Sequence, residues 1–326
     1  MLRRILLRIG DFVFVTRPLI LVPAWSFYLR GAATAQFGDP WLARPDAFTW
    51  GLVCLTAILV AAYLVNLVFD QQADRLNDKG HYIARGLFAV RTIVILAMLF
   101  FVAASFAFRR TVPPQRIPLV GALILAFAYS LPPLRLVARP GLDLAANAIG
   151  YGGIAFVAGY FAFRGSTAAW SAAAPYMFLV GATFLHTTIL DVEGDRAAGK
   201  NTFTVQFGVL ASTRLAVALS IGGAAWIIRE SSASTRDPLA PAVLIVATAV
   251  FFAAHIRIRH CLARGDDAAA ATVRNTSALV VQGVTAIVAL AAGIGASWFL
   301  IGVAGLVVLA RIYYRYRFEI SYPGPR

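Results

Sequence analysis

Charge is scarce in this chain. Only 13% of its 326 residues are Asp, Glu, Lys or Arg and 60% are hydrophobic, whereas soluble domains carry roughly 25% charged residues. So few polar groups make a poor water-facing surface, which sets aside a soluble fold and makes the lipid bilayer the expected solvent. Cysteine is nearly absent: Cys54 and Cys261 stand apart without CxxC spacing, which argues against a disulfide framework or a thiolate zinc centre. Acidic residues number 15 against 29 basic ones. The resulting net charge of +14 does not point to nucleic acid, because the basic residues fall in short stretches between apolar runs, with no basic recognition helix and no interleaved aromatic platform. No small-residue cleavage site follows the basic start Met1-Leu-Arg-Arg, so the first apolar stretch reads as a retained helix.

What the chain has in abundance is apolar runs of about 17–25 residues, each able to cross a hydrocarbon core of about 30 Å. They predict an all-α, polytopic transmembrane bundle of nine or ten helices, one domain over residues 1–326. The helices are placed near 12–34, 48–69, 88–107, 117–132, 143–163, 174–190, 212–228, 239–256 and 277–293. A further run at 297–313 makes 297–326 an additional helix with a basic tail. Read as one helix, 277–313 would extend about 55 Å at 1.5 Å per residue, so Gly293 and Gly295 are the expected turn. With the N-terminus inside, ten crossings put 18 basic residues on inner segments and eight on outer ones, the asymmetry expected of a cytoplasmic face. The expected setting is therefore a bacterial or archaeal cytoplasmic membrane. The long polar connections 70–87, 191–211 and 257–275 would face the cytoplasm.

The few acidic residues are clustered. Asn66, Asp70, Asp74 and Asp78 recur every four residues at the inner end of the second predicted helix, so four oxygen-bearing side chains share one helical stripe. Like charges one turn apart repel, and the ladder gains nothing unless a cation sits against it. Hard divalent cations seek such oxygens; magnesium takes one or two carboxylates, waters and a substrate phosphate. A second pair, Asp191 and Asp195 in Leu190-Asp191-Val-Glu193-Gly-Asp195-Arg196-Ala-Ala-Gly-Lys200, closes the sixth predicted helix. A single carboxylate at a helix end can merely solvate the terminus. Two acidic stripes on one predicted membrane face call for counterions, and metals bridging both would grip a diphosphate leaving group.

Three segments resemble the UbiA-type superfamily of intramembrane aromatic prenyltransferases. The family's Asn-Asp-x-x-Asp-x-x-x-Asp motif aligns with Asn66, Leu67, Asp70 and Asp74. Tyr129-Ser-Leu-Pro-Pro-Leu-Arg135 is similar to its Tyr-Ser-x-Pro-Pro-Leu-Lys/Arg segment, and Asp191 to Thr202 resembles its second aspartate motif. Arg17-Pro18 matches an Arg-Pro of its first helix. Departures are Leu67 in place of an aspartate, Thr188 where several branches carry an acid, and His81-Tyr82 where an Arg-Pro often stands.

The resemblance implies a helical bundle around a central cavity and magnesium-dependent prenyl transfer from a polyprenyl diphosphate to an aromatic or lipid acceptor. Asp70, Asp74, Asp191 and Asp195 would bind magnesium-diphosphate, with Asn66 completing the first ligand set. Arg135, Lys200 and Arg196 are candidates for the phosphates, although each also fits as a positive-inside topology residue. Arg17 either snorkels to the interface or points into the cavity. Tyr129, Tyr151, Tyr160 and Phe184 are candidates for the isoprenoid cavity, while Asn147 and His186 are polar residues within predicted helices and so site candidates or interhelical hydrogen-bonders. Two other readings stay open: a transporter whose acids mark an ion path, which would place them near mid-membrane, and a transferase for another diphosphate donor of phosphoribosyl type.

Overall fold

The structure, a computed structural model, describes residues 2–35, 44–77, 79, 81–231, 239–265 and 267–320. Asp78, the last member of the predicted acidic ladder, lies outside them, as do most of the loop 229–238 and the end of the basic tail. Every regular element among the described residues is helical. In chain order these are α1 (Leu2–Phe14), α2 (Pro18–Ala35), α3 (Pro45–Phe69), the short α4 (Gln71–Leu76) and α5 (His81–Ala84), α6 (Val90–Arg110) and α7 (Pro113–Ser130). Then come α8 (Leu142–Phe161), α9 (Ala168–Ala197), the short α10 (Phe203–Phe207), α11 (Val209–Ser231), α12 (Ala240–Arg264), α13 (Asp267–Gly293) and α14 (Ser297–Phe318). Eight of them, α3, α6, α8, α9 and α11 to α14, are long and apolar enough to cross a membrane. With α2 and α7, of 18 residues each, ten long helices among the described residues make up the bundle of an integral, multi-pass membrane protein.

Several predicted boundaries move, each for a local reason. The helix expected over 12–34 is two helices, because Pro18 restricts the residue before it and Arg17 takes a left-handed φ of +54°. The second acidic motif closes its helix later than expected: α9 continues through Asp191 and Asp195 to Ala197. Much of the expected connection 257–275 is helical too, since α12 runs on to Arg264 and α13 begins at Asp267. The apolar run marks only the lipid-facing part of a helix, and helical hydrogen bonding goes on past it where the next residues, Ala and Arg among them, are good helix formers. The turn at Gly293–Ala296 is where it was expected, with Gly295 at φ +86°.

Packing relies on small residues. At the crossing of α2 and α8, a Cβ on Gly31 would lie 1.9 Å from the Phe156 carbonyl oxygen and one on Gly159 1.9 Å from that of Tyr28. Only glycines allow the two backbones to touch there, the close approach that membrane helices use in place of a hydrophobic driving force. Buried Gln115 of α7 spans the same region, donating to the Tyr28 hydroxyl at 3.0 Å and to the Ala158 carbonyl at 3.1 Å. On the outside the rule of soluble proteins is reversed: Val102, Ile117, Ile124 and Ile301 are among the most exposed side chains, as lipid requires.

Asp143 joins two connections at one end of the bundle. Its Oδ1 accepts from the amides of Gly141 (2.9 Å) and Leu144 (2.8 Å), and its Oδ2 from Phe203 N at 2.9 Å. The side chain is fully buried, so this aspartate outside both motifs is structural. Asp143→Asn, which sets an amide donor against backbone donors, is expected to cost about 1–3 kcal/mol; a lowered thermal midpoint in detergent would register it.

The last turns of α14 pack at that same end, beside Tyr82 and Asp11. A reporter fused after Arg326 and a thiol label on Ala198→Cys should therefore be accessible from one side of the membrane. Labelling from opposite sides would rule out ten crossings.

Candidate active site

Both acidic motifs meet at this end. At Asp70 the long helix α3 breaks, with φ −100° and ψ 16°. The bonds Asp70 N to Asn66 O and Asp74 N to Asp70 O, each 2.8 Å, carry the helical succession across the break. Asn66, Asp70 and Asp74 thus stay on one stripe while the chain turns away from the bundle. Leu67, at the position of the missing aspartate, is 1% exposed and belongs to the apolar cluster under the stripe; the substitution removes an acid from a position that packs.

Three of the four aspartates have a cation from a distant segment, and Asp195 has an amide from one. Asp74 takes Arg17 Nη2 at 3.1 Å. Asp70 takes Lys200 Nζ at 2.9 Å and Arg135 Nη2 at 3.5 Å. Asp191 is paired with Lys79. Asp195 lies 4.0 Å from Lys200 and accepts from Asn77 Nδ2 at 3.3 Å. Asn66 donates from Nδ2 to Asp70 Oδ2 at 3.0 Å and to Ser130 Oγ at 3.4 Å, which ties the Tyr129–Arg135 segment to the first motif.

Local backbone chemistry sets these contacts. Gly194 between the two aspartates of α9 is needed for close approach, since a Cβ there would sit 2.3 Å from Asn77 Oδ1. After α9 the bonds Gly199 N to Arg196 O (3.1 Å) and Lys200 N to Asp195 O (2.8 Å), with Gly199 at φ +69°, form a Schellman cap that turns Lys200 back over its own helix. Burial disfavours the Lys200 ammonium, but Asp70, Asp195 and Asp191 outweigh it and raise its pKa. Arg17 and Arg135 have left-handed φ values of +54° and +40°. Such conformations cost non-glycine residues about 1–2 kcal/mol and cluster at sites whose surroundings over-determine them.

Toward the membrane interior the walls become tyrosine. Asn147 Nδ2 donates to the Tyr129 hydroxyl at 3.0 Å. The hydroxyls of Tyr63 and Tyr151 are in contact between α3 and α8, and Tyr63 also donates to the Ile20 carbonyl at 3.4 Å. Tyr151 sits in a π-helical stretch, Ala148–Ala155, within α8; such stretches are frequent at functional sites. A small recess beside the first motif is bordered by Leu67, Gln71 and Asp74.

The remaining candidates separate. Arg196 is exposed and Tyr160 is buried near the other end of α8. His186 meets Ser277 Oγ at 3.3 Å and stacks on Phe251, on the face of α9 toward α12 and α13. Thr188 joins the hydroxyl chain Thr188–Thr204–Ser212, so the absent acid is replaced by an interhelical hydrogen bond. Sequence reasoning missed Asn77 and Tyr63 and counted Lys79 only as a topology residue. Tyr63 had a signal: it precedes Asn66 by one helical turn on the same stripe.

The donor set fits a hard cation with its substrate. Among the described residues no three His, Cys, Asp or Glu side chains form a ready cage, but magnesium characteristically takes one or two carboxylates and completes its shell with water and phosphate. Asp70 Oδ1 is buried and makes no hydrogen bond, its neighbour being the Arg135 guanidinium at 3.5 Å, so this carboxylate oxygen keeps lone pairs that a hard cation could use.

Comparison with known proteins agrees with this geometry. The model of the UbiA prenyltransferase family matches residues 24–274. A bacteriochlorophyll synthase 34 kDa chain from Chloroflexus aurantiacus is 28% identical over 199 residues, 60% of this chain and 63% of that one. This chain thus spans somewhat less than two thirds of that relative's length. Digeranylgeranylglyceryl phosphate synthase from Halobacterium salinarum is 35% identical over 217 residues, covering 65% of this chain and 75% of that one. In structure the fold is similar to a UbiA homologue from Archaeoglobus fulgidus bound to DMAPP and Mg2+, with a TM-score of 0.65 and 19% identity over 85% of this chain and 99% of that one. With more than three quarters of its length matched by the family model, the chain belongs to the UbiA prenyltransferase family.

Proposed function

We propose that this protein transfers a prenyl group from a polyprenyl diphosphate, taken as its magnesium complex, to an aromatic or lipid acceptor within the membrane. The observation that carries the reading is the meeting of four aspartates with Arg17, Lys79, Arg135 and Lys200 at one end of the bundle. The relatives support the donor class, since the Archaeoglobus homologue is bound to DMAPP and Mg2+. The basic residues counted on the inner segments support a site that faces the cytoplasm.

Charge balance favours a metal-bound donor. The four carboxylates and four cations of the site compensate one another, so a bare diphosphate would leave it strongly negative, whereas its magnesium complex brings charge of both signs. Asp70, Asp74, Asp191 and Asp195, with the Asn66 carbonyl oxygen, would hold the metal. When bound, magnesium supplies neutralisation of the leaving diphosphate. Arg17, Lys79, Arg135 and Lys200, now paired with aspartates, exchange those partners for phosphate oxygens, where charge-assisted bonds are strongest. The C1–oxygen bond of the donor breaks with its electron pair going to the diphosphate, the acceptor bonds to C1, and the acceptor gives up a proton.

Tyr63 lies seven residues before Asp70, about 10 Å deeper along the helix, so the ring faces of Tyr63, Tyr129 and Tyr151 flank the allylic carbons and shield developing positive charge from water. Asn147 orients Tyr129. The transporter reading is not favoured: the acids gather at one end and are paired with cations. Nor do the relatives favour a phosphoribosyl donor.

Replacing charge while keeping shape tests the metal reading. Asp70→Asn and Asp191→Asn are each expected to lower turnover about 10²-fold, as when a preorganised electrostatic contact is lost, with circular dichroism unchanged. Chelation should abolish wild-type activity and magnesium restore it. Glu193→Gln, whose side chain is 75% exposed and only loosely paired with Arg274, should stay active. Near-wild-type turnover by both aspartate variants would refute the metal-diphosphate reading.

A second test separates strain from charge. Arg17→Gly and Arg135→Gly relieve a left-handed backbone that Arg17→Ala and Arg135→Ala retain, so the glycine variants should be more stable by about 1 kcal/mol. Both kinds of variant should lose donor affinity to a similar degree. Equal stability of each Gly–Ala pair in denaturant titrations would count against stored strain; undiminished donor binding would remove the arginines from the phosphate site.

A further inference from the structure

Two helices frame the site from outside the residues that match the family model: α1 ends before residue 24 and α14 begins after residue 274. They bind each other through a buried charge. Asp11, 3% exposed, accepts from the Tyr313 hydroxyl at 2.7 Å, from Arg317 Nε at 2.8 Å and, on its other oxygen, from Arg317 Nη2 at 2.9 Å. Phe14 stacks on Tyr313 with ring centroids 4.5 Å apart. From this anchor the bonds Val15 N to Asp11 O (3.0 Å) and Arg17 N to Phe14 O (3.0 Å) lead directly to Arg17.

The other side of the same turns of α14 holds a second site segment. The Tyr314 hydroxyl meets that of Tyr82 at 3.0 Å. Phe318 packs edge-on against Tyr82 at 5.7 Å, lies 5.1 Å from the His81 ring and carries the Arg85 guanidinium over its face at 5.2 Å. His81 and Tyr82 follow Lys79 closely in the chain. One helix end therefore grips both the segment that ends in Arg17 and the segment that begins with Lys79, the partners of Asp74 and Asp191.

We propose that α14 is a positioning strut for the donor site: through Asp11–Arg317 it sets Arg17, and through Tyr82–Tyr314 it sets Lys79. The inference rests on the reading of Arg17 and Lys79 as diphosphate-binding residues. Stability alone is a weak reason for this arrangement, because the desolvation of a buried ion pair offsets much of its attraction, while its directional bonds specify geometry. Arg17 also needs an external constraint, since its left-handed backbone persists only where neighbours hold it. Tyr313, Tyr314 and Arg317 act through other residues and are positioning residues.

Full-length protein in lipid nanodiscs, with geranyl diphosphate as donor probe and an acceptor that supports turnover, gives the test. Arg317→Met is expected to raise the donor KM about fivefold while the acceptor KM and kcat change less than about twofold, the pattern of a lost binding interaction, and Arg317→Lys should recover part of the loss. In an Arg17→Ala background the same change should add little, since coupled residues are not additive. Tyr314→Phe should couple in the same way to Lys79→Ala and not to Arg17→Ala. It removes one hydroxyl only, and so keeps the idea testable if Arg317→Met does not fold. Full additivity in both cycles, or an effect confined to the thermal midpoint, would overturn the strut while leaving the site reading in place. Unchanged donor KM in Arg17→Ala and Lys79→Ala themselves would remove the site reading and the strut together.

Discussion

The arrangement depends on one electrostatic constraint: a carboxylate next to a low-dielectric core must be paired, because leaving a charge there uncompensated costs several kcal/mol. Four aspartates converge on one end of an otherwise apolar bundle, and each is met by a cation or amide from a different part of the chain. Satisfying them requires the α1–α2 junction, the turn after α7, the segment after α4 and the loop after α9 to come together. The connections at this end are therefore structured to an extent that their polar composition alone would not suggest. Asp143 joins the turn before α8 to the start of α10 by the same logic, with backbone amides in place of cations.

The pairs also describe how such a site can change partners. A lysine or arginine that neutralises an aspartate in the absence of substrate is already at the right place and of the right sign for a phosphate oxygen. On the proposed reading, a metal-bound diphosphate would exchange one set of ionic contacts for another, each charge keeping a partner. Arg17 and Arg135, the two cations with left-handed backbones, are the ones whose positions carry local strain. Lys200 has its place from a helix cap.

Much of this was legible in the sequence because the relevant patterns are local. Long apolar runs identify membrane helices, and an acid at every fourth residue identifies a stripe; the helices α3, α8 and α14 and the two aspartate pairs follow from spacing alone. Boundaries were less legible where helices continue past the apolar run, as α9 does through Asp195. The partners of the aspartates were harder still. Lys79 and Asp191 are 112 positions apart in the chain, and no periodicity connects them. Asn77 was invisible for another reason: its contact exists because Gly194 has no side chain, an absence that reads in sequence as mere flexibility.

The deeper half of the site follows from a change of helical period. Asp143, Asn147 and Tyr151 are spaced by four, and in an α-helix of 3.6 residues per turn that spacing drifts steadily around the axis. The π-helical turns from Ala148 widen the helix, so residues four apart stay closer to one line and Tyr151 remains on the face that carries Asn147. There it meets Tyr63, which continues the stripe of Asp70 and Asn66 down α3. The polar face of each helix thus extends about two turns further into the bilayer than its charges do, ending in phenols that offer an apolar ring as well as a hydroxyl. On the proposed reading, a donor with an anionic head and a hydrocarbon tail would use that succession: carboxylates and cations at the surface, then amide and phenol around the bond that breaks.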